Sequence, residues 1–156
     1  MIIPIERIID ISFWLILIPI LLIFLPKEKT RDAHVIFLFT QVFTWVLGHL
    51  VVELHLIEYP IRLFEYATKT SFTFEYFVNP ALNVLIILFY PERKKWYIKL
   101  AYFISFISLI TLIEASLEKY TELINYLNWQ WYWSWLTLFM TSYITLLYYR
   151  WFFRKR

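Results

Sequence analysis

Long apolar runs separated by short polar stretches divide this chain into five blocks. A helix needs about 20 apolar residues to cross a bilayer, and each block approaches or reaches that length. The blocks cover residues 5–25, 33–53, 74–90, 96–117 and 132–153. The pattern therefore predicts an all-α protein, in which residues 1–156 form one polytopic membrane helix bundle with five transmembrane helices.

The stretch between the second and third blocks has a different pattern. Residues 55–70 alternate apolar and charged side chains around Tyr59-Pro60. The stretch is too polar to cross a bilayer, and its amphipathic pattern is typical of a helix that lies in the interface. We therefore predict an interfacial amphipathic helix between spans 2 and 3.

Polar and small residues recur at helical spacing within the blocks. In lipid, such a stripe marks the face that is turned toward other helices. The second block carries Gln41, Trp45, His49 and Glu53, flanked by Thr40, Thr44 and Gly48. The later blocks carry Asn79 and Asn83, then Ser105, Ser108, Thr111 and Glu114, then Thr137, Thr141 and Thr145. We expect these stripes to face the interior of the bundle.

Composition and charge support a membrane protein and predict its orientation. Hydrophobic residues make up 61% of the chain and the mean hydropathy is +0.60, whereas soluble domains are about 45–50% apolar. Residues 26–32, 91–99 and 150–156 hold 11 of the 15 Lys and Arg residues. The positive-inside rule then predicts a multi-pass protein of the cytoplasmic (cell) membrane, with its N-terminus outside and its C-terminus in the cytoplasm. Because no basic segment precedes the first block and Leu25-Pro26-Lys27 follows it, we interpret that block as a retained span.

Ionisable residues inside the spans are the candidates for a functional site. A charge at the centre of a membrane helix costs about 2.5–3.5 kcal/mol, so such residues often serve a function. The candidates lie in the outer half of the predicted bundle and are Asp10, His49, Glu53, Asn83 and Glu114. His49 and Glu53 are four residues apart, so they share one helix face. The imidazole and the carboxyl groups of these candidates would suit divalent-cation binding or proton transfer. The alternative is that these side chains merely contact the outer lipid headgroups.

Several kinds of chemistry are disfavoured. The chain has no cysteine, one glycine and three histidines, so thiolate sites and phosphate-cradling loops are excluded and a metal signature is weak. No arrangement of Ser, His and Asp suggests nucleophilic catalysis. We expect no enzyme activity, no cofactor, no metal and no nucleic-acid partner.

A run of aromatic residues, NWQWYWSW, occupies residues 128–135. Tryptophans two residues apart lie about 200° apart on a helix, so they cannot all face one ligand. The run fits an aromatic belt at the outer interface. The alternative is an aromatic cage for a cationic headgroup.

Several segments together resemble an uncharacterised family of small, four- to five-span membrane proteins found in endospore-forming Bacillota. The segments are EYPIRLF at 58–64, TSFTFEYF at 70–77 with Pro80, FYP at 89–91 and the tryptophan run. The resemblance implies a cytoplasmic-membrane protein with no assigned activity. It also implies that residues 59–60 and 71–77 have a definite shape.

Two functions follow as expectations. The first is a non-enzymatic component of the lipid bilayer that packs with itself, as a homo-oligomer, or with a membrane-protein partner. The second is binding or translocation of a small solute, cation or proton through the polar site in the outer half of the bundle. A membrane-embedded enzyme acting on lipid headgroups is a third class, but the paired acidic motifs of metal–pyrophosphate chemistry are missing from the sequence.

Overall fold

The structure is a computed structural model that describes residues 4–153, and most of these residues are helical. Its α-helices are α1 (Ile5–Phe24), α2 (Thr30–Glu53), α3 (Asn79–Leu88), α4 (Trp96–Tyr120) and α5 (Trp131–Phe152). A 3-10 turn (Lys27–Lys29) leads into α2, and a π-helical segment (Phe72–Val78) continues into α3. Strands β1 (Ile57–Glu58) and β2 (Asn125–Tyr126) form a two-stranded antiparallel ladder. The prediction of a helical protein with five helices is confirmed.

Three segments are long and apolar enough to cross a membrane: Ile5–Phe24, Lys27–Glu53 and Trp96–Tyr120. The apolar helix Phe72–Leu88 is shorter. α5 is long enough to cross a membrane, but its tryptophan, tyrosine, serine and threonine residues lower its hydropathy. The fold is therefore compatible with a membrane protein, while five crossings stay a prediction.

Contacts at the two ends of the bundle show how the helices run. At one end, Arg7 at the start of α1 forms an ion pair with Glu65, which follows α2. At the other end, Tyr149 Oη donates to Asp32 Oδ2 over 2.7 Å, joining the end of α5 to the start of α2. Tyr102, near the start of α4, donates to the Ile86 carbonyl near the end of α3, and Ser134, near the start of α5, donates to Glu114 near the end of α4. Consecutive helices therefore run antiparallel. We call the end that holds residues 54–71 and 121–130 the loop end, and the opposite end the turn end.

The inward face of α2 differs slightly from the predicted stripe. Thr40, Thr44 and Gly48 are buried, and Thr40 Oγ1 donates to Thr145 Oγ1 over 3.3 Å across to α5. The neighbouring stripe ends in His49 and Glu53, which are both exposed. One residue is about 100° of helix rotation. The small residues that were predicted to flank the stripe therefore form the packed face, because they allow close helix contact.

The predicted interfacial helix at residues 55–70 is wrong. This segment contains β1 and then a series of turns without helix. Pro60 lacks the backbone N–H that a helix would need and disfavours helical geometry at the residue before it. The Arg62 guanidinium instead donates to the carbonyls of Tyr59, Thr68 and Glu65 over 2.7, 2.7 and 3.2 Å. The charged residues that suggested an amphipathic helix here organise a compact loop.

Candidate ligand-binding cavity

A cavity of about 520 Å³ lies between the helices and extends to polar side chains near the loop end. Its walls are mostly aliphatic and phenylalanine side chains, and every one of the five helices contributes to them. Its few polar lining groups include two acids, Glu75 and Glu114, together with Tyr59, Asn79 and Ser134. A mostly apolar cavity of this size with a few converging polar groups has the usual form of a small-molecule site.

Glu75 is positioned by the π-helical segment Phe72–Val78. Ser71 caps the start of this segment, because its Oγ accepts a backbone N–H over 3.2 Å. Tyr59 Oη donates to Glu75 Oε1 over 3.1 Å, and Asn79 Nδ2 donates to Oε2 over 3.4 Å. A π-helical turn inside an apolar helix is a common feature of functional sites. Both oxygens of this carboxyl group thus have donors that fix its orientation.

Gly48 provides the space that the Glu75 side chain occupies. A β-carbon added at Gly48 would lie 2.7 Å from Glu75 Cγ and 3.0 Å from Thr70 Oγ1. Real β-carbons do not approach other atoms as closely as 2.7 Å. In addition, Thr44 Oγ1 donates to the Glu75 carbonyl over 2.6 Å. The single glycine of the chain therefore lets α2 pack directly against the acid.

Glu114, near the loop end of α4, is held by hydroxyl groups. Its Oε1 accepts from Tyr126 Oη over 2.7 Å and from Ser134 Oγ over 2.6 Å. Ser134 in turn accepts from Trp129 Nε1 over 2.8 Å. Each hydroxyl has one proton to donate, so both protons are used on the same carboxyl oxygen. Within the described part of the chain, Oε2 of Glu114 has no such donor.

Tyr59 and Tyr126 each donate a hydrogen bond to one of the two acids. Burial, the negative charges of Glu75 and Glu114, and the hydrogen bond to Glu75 raise the pKa of Tyr59 well above its ordinary value of 10.0. Burial and the nearby Glu114 charge likewise raise the pKa of Tyr126. Both phenols therefore keep their protons at neutral pH and act as donors. Each acid thus has a phenol as a donor, and both acids line the same cavity.

The β1–β2 ladder covers the loop end of the cavity. Ile57 pairs with Tyr126 and Glu58 with Asn125. Ile57 of this ladder is buried together with Tyr59 and Ile124, and all three line the cavity. Two connections that are far apart in sequence thus deliver Tyr59 and Tyr126 to the two acids.

The cavity also reaches the outer surface of the bundle, between α2 and α4. Four of its lining leucine and isoleucine residues are about half exposed: Leu50 and Leu54 on α2, and Leu109 and Ile113 on α4. α2 packs mainly on α3 and α5, whereas α4 packs on α5. An apolar gap therefore lies on the side of the bundle rather than at an end.

The five residues predicted as a polar site are not all in this cavity. Only Glu114 lines it. His49 and Glu53 face an open groove beside the loop of residues 62–70, where Glu53 lies 3.7 Å from Lys69 Nζ. His49 Nδ1 lies 2.8 Å from its own helix carbonyl at Trp45. The i, i+4 pair thus shares a helix face, as predicted, but that face is turned outward.

Asp10 and Asn83 occupy two further places. Asp10 is buried beside Thr73, whose hydroxyl accepts Trp14 Nε1 over 3.1 Å. Asn83 is also buried, and within the described residues its Oδ1 has no hydrogen-bond partner. Neither side chain is part of the cavity wall. The polar site predicted in the outer half thus has only one member in common with the cavity.

The tryptophans of residues 128–135 lie in different environments. Trp129 lines the cavity, whereas Trp131 and Trp133 are exposed on the first turn of α5. Trp135 Nε1 donates to Ser108 Oγ over 3.0 Å and joins α5 to α4. The run therefore combines one site residue and one packing residue with surface tryptophans that suit an interfacial belt.

Sequence reasoning missed Glu75, Tyr59 and Tyr126. Glu75 and Asn79 are four residues apart and so share a helix face, and this signal was available in the sequence. Tyr59 and Tyr126 gave no such signal, because their position depends on the pairing of β1 with β2. Among residues 4–153, no group of three or more His, Cys, Asp or Glu side chains has the geometry of a metal site.

Comparison of the chain with known protein families, curated proteins and solved structures gives no match.

Proposed function

We propose that this protein binds a small, mostly apolar molecule inside its helix bundle, with the polar end of that molecule held at Glu75 and Glu114. The observation that carries the proposal is the cavity of about 520 Å³, which has both of its acids near the loop end. Sites for drug-sized ligands have volumes of about 300–1,000 Å³ and similar linings. Of the two functions expected from the sequence, solute binding is the one that this feature favours.

The membrane setting is part of the proposal. We infer five crossings of the cytoplasmic membrane, with the loop end and the N-terminus outside. The antiparallel order of the helices and the concentration of basic residues at the turn end support this arrangement. The gap between α2 and α4 would then face the acyl chains, so that an apolar ligand reaches the cavity from the bilayer.

Neighbouring substitutions on α4 test the binding function. Ile113 lines the cavity, whereas Leu112 does not, and both are substantially exposed, so tryptophan at either position avoids the packed core. The probe is 1-adamantanol, a rigid neutral molecule, titrated by calorimetry into protein in phosphatidylcholine nanodiscs. We expect saturable one-to-one binding to wild type and Leu112→Trp, and at least about tenfold weaker binding to Ile113→Trp. Equal binding to both variants, or no binding to wild type, would contradict the proposal.

The orientation of the protein in the membrane can be tested separately. The chain lacks cysteine, so single cysteines can be placed at the exposed residues Tyr66, at the loop end, and Lys94, at the turn end. A membrane-impermeant maleimide should label Tyr66→Cys in intact cells and Lys94→Cys only after permeabilisation. Labelling of both from outside would rule out the proposed topology.

A further inference from the structure

We infer that the ligand of this cavity is a lipophilic amine, whose protonated nitrogen lies between the carboxyl groups of Glu75 and Glu114 while its apolar body fills the space between the helices. This inference rests on the proposed binding function and adds the chemical class of the ligand.

The described residues that line the cavity include acidic groups and no basic ones. Glu75 and Glu114 both line it, and no Lys, Arg or His side chain of the described residues does so. Buried carboxylates are costly unless a cation or hydrogen-bond donors compensate them. Two other acids near the loop end have cationic partners: Glu65 pairs with Arg7, and Glu53 lies near Lys69. The cavity acids have hydrogen-bond donors from the protein, and a cationic ligand would add the positive charge that the lining of the cavity does not provide.

The hydrogen bonds at the site leave an acceptor for a new donor. Tyr126 and Ser134 both donate to Oε1 of Glu114, so Oε2 is available. An ammonium group is a donor without an acceptor and therefore matches such an oxygen.

The walls favour an organic cation over a metal ion. Trp129 and Tyr59 line the polar end, and aromatic rings attract organic ammonium groups. Most of the remaining lining consists of aliphatic and phenylalanine side chains, which cannot replace the water shell of a metal ion. In agreement with this, the described residues contain no group of three metal-ligating side chains.

A phospholipid amine is a poorer match than a free amine. The phosphate of phosphatidylethanolamine lies close to its amine and would approach the same two acids. With no basic residue of the described chain in the lining to receive the phosphate, repulsion would oppose binding. The chemistry therefore favours an amphiphile that carries an amine and no phosphate.

Three probes of one shape separate this inference from the proposed function. 1-Adamantylamine, 1-adamantanol and adamantane-1-carboxylate differ only in the charge and donor capacity of their polar group. They are titrated by calorimetry at neutral pH into wild type, Glu75→Gln, Glu114→Gln, the double variant and the control Glu53→Gln, whose side chain lies outside the cavity. The nanodiscs contain phosphatidylcholine, and one series adds phosphatidylethanolamine.

We expect wild type and Glu53→Gln to bind the amine at least about tenfold more tightly than the alcohol, and the carboxylate more weakly than the alcohol. In Glu75→Gln/Glu114→Gln the preference for the amine should fall to within about twofold, while binding of the alcohol persists and reports an intact cavity. Phosphatidylethanolamine should not compete.

Each failure has a distinct meaning. Equal binding of amine and alcohol to wild type would overturn the amine inference and leave the cavity function standing. Loss of the preference in Glu53→Gln would show that the cation binds in the outer groove, and this result would also overturn the amine inference. Competition by phosphatidylethanolamine would overturn the choice of a free amine. If no probe binds to wild type, the proposed function itself fails, and the inference fails with it.

Discussion

At the scale of single residues, Gly48 and Glu75 form the contact on which the site depends. The acid occupies the space that a side chain on α2 would otherwise fill. Tyr59 then fixes the carboxyl group through its hydroxyl, and Asn79 does so through its amide. The chemistry of the cavity therefore begins with one residue that has no side chain.

Replacing Gly48 by alanine should destabilise the protein, although alanine is ordinarily about 1 kcal/mol more favourable than glycine inside a helix. The added β-carbon would lie 2.7 Å from Glu75 Cγ, and overpacking of this kind costs about 1–3 kcal/mol. Thermal unfolding in detergent should show a lower midpoint for Gly48→Ala. Val46→Ala, on an exposed face of the same helix, is the control. The double variant Gly48→Ala/Glu75→Ala should recover stability, and failure to recover would mean that Glu75 is not the obstacle.

Stability at alkaline pH should depend on Tyr59. Its pKa in the folded protein is raised above the ordinary value of 10.0, so the folded state retains a proton that the unfolded chain loses. The contribution to stability is complete below pH 10 and is lost as the pH rises from 10 toward the folded-state pKa. Unfolding midpoints measured from pH 8 to pH 11 should fall less steeply for Tyr59→Phe than for wild type. The fully exposed Tyr66 provides the control Tyr66→Phe, and identical slopes for all three proteins would contradict the assignment.

At the scale of elements, the loop end is the part of the structure that converts a helix bundle into a site. The β1–β2 ladder joins two distant connections. Arg62 holds the following loop by donating to three carbonyl groups. This small ordered region brings Tyr59 and Tyr126 over the cavity.

Arg62→Lys should loosen the loop without unfolding the helices. A lysine keeps the charge but cannot make the forked set of hydrogen bonds of a guanidinium group. Loss of about 1.4 kcal/mol of local stability corresponds to tenfold faster exchange. Hydrogen exchange of residues 59–70 should therefore accelerate about tenfold or more, whereas α4 should not change. Arg31→Lys, at an exposed position on α2, is the control. Unchanged exchange in Arg62→Lys would show that the loop is held by other contacts.

The helices could be predicted from the sequence more fully than the elements that join them. α4 begins at Trp96 as expected, and α2 ends at Glu53 as expected, because long apolar runs bounded by charged residues determine these limits. The segment 55–70 was predicted as a helix from its alternation of apolar and charged residues. That pattern does not reveal that the Arg62 side chain would form hydrogen bonds with backbone carbonyls or that β1 would pair with β2. Periodicity describes one element at a time, whereas these contacts join residues that are far apart in sequence.

At the scale of the whole molecule, all five helices surround one apolar space and two carboxyl groups face it. The sequence identified Glu114 as a candidate because it is an acid within a span. His49 and Glu53 met the same criterion, yet they face the outer groove. Sequence alone does not give the rotation of each helix about its axis, and one residue of rotation decides which polar side chains reach the interior.

Photolabelling can show whether Glu75 and Glu114 face one cavity that accepts an apolar molecule. Adamantyl diazirine would be activated by light in nanodiscs that hold the protein, and the labelled residues would be found by peptide mass spectrometry. We predict adducts concentrated on Glu75, Glu114 and the cavity residues around them, removed by excess 1-adamantanol, with Glu53 unlabelled. Labelling spread over the exposed apolar faces of the helices, with neither cavity acid protected by 1-adamantanol, would contradict this arrangement.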